Sequence, residues 1–173
     1  MQKTFVQKTK PKGDALNTAF TSILAGAAAS GLILSAASNA QDFTEPASFG
    51  TVTLNAGFLP DPHVRNLTAG GAIRAQERFS SCRGYIANAP DYSVYYTAGS
   101  APLIFTVDSD RDTTLVINGP DARWYCDDDG GNGLNPALNF GSPMAGQYDI
   151  WVGTYGNASM QSATLHISEL YSQ

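Results

Sequence analysis

Residues 102–136 read PLIFTVDSDRDTTLVINGPDARWYCDDDGGNGLNP. Two runs rich in β-branched and aromatic residues flank Asn118-Gly119-Pro120-Asp121, a strong turn signal. The first run alternates cleanly, with Leu103, Phe105 and Val107 on one face, and then Leu115 and Ile117 on one face. A hairpin closed at this turn pairs residues whose numbers sum to about 239. That register sets Ile117 against Ala122 and Thr113 against Cys126. It also brings Asp108, Asp110 and Asp112 beside Asp127, Asp128 and Asp129 at the open end.

Working outward, the same pattern recurs. Short runs at 49–54, 63–68, 83–87, 91–97, 137–140, 147–154 and 162–168 are separated by Gly, Pro, Asn and Asp. Tyr148, Ile150 and Val152 share one face; so do Ala163, Leu165 and Ile167. Period-two burial predicts antiparallel sheets packed on each other, and the number of strands predicts an all-β sandwich or jelly roll. Only 70–80 has the composition for a helical turn. A single β-sandwich domain is expected over 49–171, after a flexible leader at 41–48 and before a frayed end at Ser172-Gln173.

All four lysines lie in the first twelve residues, and Asp14 is the only acid before Asp42. An uncharged Ala-, Leu- and Ser-rich run extends from Ala15 to Ala40 and ends in Ser38-Asn39-Ala40. A charged start, an apolar middle and a small-residue exit read as a secretory signal over 1–40, cleaved near 40/41. The alternative is a retained anchor. No second apolar run follows, so no membrane association is expected after cleavage, and the expected location is secreted or periplasmic. In an oxidising compartment Cys82 and Cys126 are read as one disulfide.

From Gln41 onward there are six Arg, no Lys and fourteen acids, a balance of −8. This excludes a basic nucleic-acid surface. Six carboxylates at one end of a hairpin repel one another unless a cation sits among them. Calcium is the expected ion, because it accepts carboxylate, amide and carbonyl oxygens in loose geometry. The candidate ligands are Asp108, Asp110, Asp112, Asp127, Asp128 and Asp129, with Asn132 and Asn135 adding amide oxygens. The competing reading makes several of these ordinary turn residues in water. An EF-hand is excluded, since Thr113 and Gly119 stand where that loop, counted from Asp108, needs Gly and Glu.

Residues 82–168 resemble the bacterial pre-peptidase C-terminal (PPC) domain. The resemblance is carried by Tyr92–Thr97 with Ala98-Gly99-Ser100 and LIFTV, by Asp110-Arg111-Asp112 leading into Thr114-Leu115-Val116-Ile117, and by Ala145-Gly146-Gln147-Tyr148-Asp149-Ile150-Trp151-Val152. It implies a jelly-roll-like sandwich, often with bound calcium, attached to secreted hydrolases as a targeting or binding module. Collagen-binding domains of clostridial collagenases are among its relatives. The stretch from Gln41 to Ser81 is too short for a peptidase domain, so no catalytic role is carried over.

Enzyme chemistry finds little support in the residues. His63 sits in a Pro-rich bend, and His166 alternates with Leu165 and Ile167, which turns it outward. Neither G-x-S-x-G nor H-E-x-x-H occurs. The expectation is a non-enzymatic exported binding or adhesion module for an extracellular protein or polysaccharide, with an exported hydrolase as a further candidate partner. One alternative is a carbohydrate-binding module using Trp124 and Trp151 as a platform, set against burial of those rings by neighbouring segments. A second is a secreted hydrolase with its site in the acidic loop.

Overall fold

The computed structural model describes residues 41–171. The signal reading of 1–40 and the frayed end at 172–173 lie outside the described residues. Eleven strands follow in order: β1 Thr51–Asn55, β2 His63–Ala69, β3 Ile73–Arg74, β4 Tyr85–Ile86, β5 Tyr92–Thr97, β6 Leu103–Asp108, β7 Thr113–Asn118, β8 Trp124–Asp127, β9 Ala137–Phe140, β10 Gly146–Thr154 and β11 Gln161–Ser168. The one helical turn among the described residues, a 3-10 turn at Ala75–Glu77, falls inside the segment expected to hold it.

The strands form two sheets. One has seven strands, with β10 as its spine: β5 and then β4 lie along one side and β7 along the other, with β1, β3 and β8 at the margins. The other has four, in the order β2-β11-β6-β9. The all-β sandwich is therefore as the periodicity predicts, with one exception to its antiparallel character. β1 runs parallel to β5, from Thr51 opposite Ser93 to Asn55 opposite Thr97. Parallel neighbours need a long connection, and here the chain between them passes through β2, β3 and β4.

Alternation explains the packing. Leu103, Phe105, Val107, Leu115, Ile117, Tyr148, Ile150, Val152, Leu165 and Ile167 all point between the sheets and are almost fully buried. The opposite face of the seven-stranded sheet holds a second cluster of Val116, Trp151, Ala75, Cys82 and Ile86, with Phe79 and Trp124 packed against it. Segment 73–87 covers that face, and the Cys82–Cys126 disulfide pins it to β8.

The hairpin closes as expected, but its register differs. Leu115 faces Asp127, Val116 faces Cys126, Ile117 faces Tyr125 and Asn118 faces Trp124, so paired numbers sum to 242 rather than 239. The reason is the turn. The Gly119 amide donates to the Arg123 carbonyl at 2.9 Å and the Ala122 amide to the Gly119 carbonyl at 2.9 Å, with Ala122 at a φ of 58°. Residues 119–123 are thus all loop, where a tighter turn was expected. Thr113 pairs with Thr154 of β10 instead of with Cys126.

Residues 41–48, expected as a flexible leader, are tied down. The Gln41 side-chain amide donates to the Ala87 carbonyl, the Asp42 amide to Asn88 and the Ser48 amide to Pro90.

Candidate functional site

The acidic end assembles differently from the six-carboxylate cage expected of it. β6 and β7 belong to different sheets, so Asp108 closes a strand paired with β11, opposite Thr164, whereas Asp112 enters the seven-stranded sheet. A cleft of about 280 Å³ does lie between 108–112 and 132–135. Asp108, Asp110, Asp112, Asn132 and Asn135 line it, whereas Asp127, Asp128 and Asp129 do not.

Two of the expected ligands hold the loop instead. Asp127 Oδ2 accepts the Gly130 amide at 2.7 Å and the Ala137 amide at 2.9 Å. Asn135 is buried; its Oδ1 accepts the Thr113 hydroxyl at 2.6 Å, and its Nδ2 donates to the Ser109 carbonyl at 2.8 Å. Those bonds splice the glycine-rich loop to the ends of β6 and β7. Asp112 differs from these two. Its Oδ1 is buried with no hydrogen-bond partner. Burial, followed by the charges of Asp129 and Asp128, raises its pKa above the ordinary aspartate value. Among the described residues, no three of Asp, Glu, His and Cys converge as a group that could hold a metal.

The two tryptophans separate. Trp151 does point away from the main core, but it is wholly buried and its Nε1 donates to the Asn88 carbonyl at 3.2 Å. It is no ligand platform, because segment 73–87 roofs it. Trp124 is half-buried, with Phe79 stacked on it at 3.9 Å between centroids and Trp151 tilted against it at 5.2 Å.

Trp124 nevertheless borders a cleft of about 660 Å³ on the outer face of the seven-stranded sheet, together with Phe43, Tyr95, Asn118, Gln147 and Asp149. Strand register builds its floor. Ser93, Asp149, Asn118 and Trp124 form one row across β5, β10, β7 and β8, and Gln147 sits opposite Tyr95 in the adjoining row. Alternation on β10 sends 148, 150 and 152 inward, so 147 and 149 must face outward. Asp149 is only 4% exposed. Its Oδ1 accepts the Ser93 hydroxyl at 2.6 Å, and the Gln147 amide donates to its two oxygens at 2.8 and 3.0 Å. The tethered leader sets Phe43 against the margin, while Tyr95 is 45% exposed. The sequence analysis did not gather Tyr95, Gln147, Asp149 and Phe43 into one site. The alternation of β10 carried part of that signal; the β5–β10 pairing carried the rest.

The histidines do not form a triad. His63 Nε2 lies 3.0 Å from the Tyr92 hydroxyl. The Nδ1 of His166 is buried without a partner. Burial lowers the pKa of His166, and the charge of Asp108 opposes that shift. Neither ring is bonded to a serine among the described residues.

No family model and no curated protein matches this chain. Among solved structures it is similar to the pre-peptidase C-terminal domain of collagenase from Bacillus anthracis, at 13% identity and a TM-score of 0.43, over 72% of this chain and 98% of that one. It is also similar to Aeromonas hydrophila PliG, a periplasmic lysozyme inhibitor of g-type lysozyme, at 13% identity and a TM-score of 0.35, over 68% of this chain and 96% of that one. The first is a domain of the kind that the motifs of 82–168 resemble. Both likenesses concern the fold alone.

Proposed function

We propose that the chain is an exported, non-catalytic module that docks an extracellular protein or polymer on the outer face of its seven-stranded sheet. The observation that carries this reading is the cleft in which exposed Tyr95, half-buried Trp124 and Phe43 surround Asn118, Gln147 and Asp149. Aromatic surface beside a few fixed polar groups is the common make-up of a recognition site. The lysine-bearing start and the uncharged run to Ala40 support export. The histidines are engaged or isolated, which supports binding over hydrolysis.

The test is a binding screen of matrix proteins and polysaccharides against the full chain and its Tyr95→Ala variant. A ligand held equally well by both would remove the cleft from the reading. The carbohydrate alternative no longer has Trp151, and it now rests on Tyr95 and Trp124.

Calcium remains a second, separate element of the proposal. The unpartnered Oδ1 of Asp112 and the neighbouring charges of Asp128 and Asp129 support a weakly held ion at the acidic end.

A further inference from the structure

We infer that the cleft on the seven-stranded sheet takes a cationic side chain, lysine or arginine, presented by a basic segment of a partner protein. This rests on the reading of that cleft as the docking surface and narrows it to one ligand chemistry.

A buried carboxylate is costly unless it is paired with a cation or richly hydrogen-bonded. Asp149 is buried and hydrogen-bonded at both oxygens, but every donor is neutral, the Ser93 hydroxyl and the Gln147 amide, so its hydrogen bonding is met while its charge is left without a counter-ion. No Lys or Arg lines the cleft. The nearest cation in sequence on the bordering loop, Arg123, is paired with Asp121 at 3.7 Å. That is the only ion pair among the described residues, so Asp149 has no counter-charge there.

The walls suit the same ligand. Phe43, Tyr95 and Trp124 border the cleft, and aromatic faces attract ammonium and guanidinium groups through the ring quadrupole. The oxygens of Asn118, Gln147 and Asp149 accept hydrogen bonds from a donor-rich head group. A neutral sugar would meet the rings and amides but leave Asp149 uncompensated. An anionic polymer would meet a carboxylate with no cation to balance it. The balance of −8 from Gln41 onward favours a basic over an acidic partner for the chain as a whole.

Amide chemical shifts of the full chain titrated with a blocked Gly-Arg-Gly peptide test this inference. A neutral glucose oligomer and a blocked Gly-Asp-Gly peptide serve as the other arms. The expected result is movement of Tyr95, Asn118 and Gln147 with the arginine peptide alone. Its affinity should drop roughly thirtyfold or more in Asp149→Asn, as loss of one partner of a buried charge pair does. It should also fall in Tyr95→Ala and with added salt. Tyr95 is exposed, so that variant keeps the test open if Asp149→Asn does not fold. Cleft shifts with the sugar or the acidic peptide but not the arginine peptide would overturn the cationic ligand and leave the docking surface standing. Arginine-peptide binding indifferent to Asp149→Asn and to salt would also overturn it. Silence of the cleft residues toward all three probes would overturn the cationic ligand, while binding in the wider screen lost in Tyr95→Ala would still support the docking surface.

Discussion

Asp91 and Val152 are joined by a hydrogen bond in which the Val152 amide donates to Asp91 Oδ2 at 2.7 Å. The bond sits where β10 leaves β5, whose pairing ends at Ile150, and turns to β4 at Thr154. The carboxylate therefore supplies an acceptor at a gap in the ladder. Asp91 is nearly fully buried. Burial pushes its pKa up to about 7, against the opposing effect of the Val152 amide.

This relationship sets a pH dependence. The folded pKa lies above the ordinary value of 3.8. The group's contribution to stability is therefore fully present below that value, declines as pH rises, and is lost above about 7. Thermal midpoints of the wild type should fall between pH 4 and pH 8 by more than those of Asp91→Asn. Parallel pH profiles for the two proteins would assign the dependence elsewhere.

The disulfide is the second handle. Cys82 and Cys126 are separated by 44 positions, and closing such a loop stabilises by roughly 4 kcal/mol in the chain-entropy model. The double variant Cys82→Ser/Cys126→Ser should lose stability of that order in a denaturant melt. It should keep its β-sheet circular dichroism, because the main core lies between the sheets, away from this bond. Loss of the sheet signal would mean that the two clusters do not fold separately.

Trp151 anchors the outer cluster. Truncating a buried tryptophan to alanine costs about 3–5 kcal/mol. Trp151→Ala should show a loss in that range and release segment 73–87 to proteolysis, since its ring is what that segment covers. An unchanged melting midpoint would show that the roof packs on something else.

The acidic end gives a prediction for calcium. Burial, with Asp129 and Asp128 nearby, raises the pKa of Asp112, so its ionisation weakens the fold as pH rises. Calcium should raise the wild-type melting midpoint above its value in chelator at neutral pH, by binding only the native state. Asp112→Asn should be the more stable protein in chelator and gain little from the ion. A wild-type midpoint indifferent to calcium would retire the ion at this end.

Much of the fold was legible in the chain, because side-chain alternation is a local property. Leu103–Val107, Tyr148–Val152 and Ala163–Ile167 each declare which residues face inward. The fate of Trp151 was not legible. Its outward direction follows from its neighbours, but its burial depends on Phe79, Cys82 and Ile86, which arrive from far along the chain. The arrangement of the acidic residues was hidden for a related reason. Asp108 and Asp112 are close in sequence, yet the chain changes sheet between them, while Asp127 and Asn135 accept loop amides and hydroxyls that sequence spacing cannot identify.

Local patterning was enough for an all-β chain, most of its strand positions though not β3 at Ile73–Arg74, the turn after Asn118, the cysteine pair and the face each alternating residue takes. These follow from short-range sterics and period-two patterning. The 242 register, the parallel placement of β1, the covered Trp151 and the gathering of Tyr95, Trp124, Gln147 and Asp149 into one cleft emerge only in the folded chain. Each of those depends on which distant strands become neighbours, and that choice is made by packing the whole core at once.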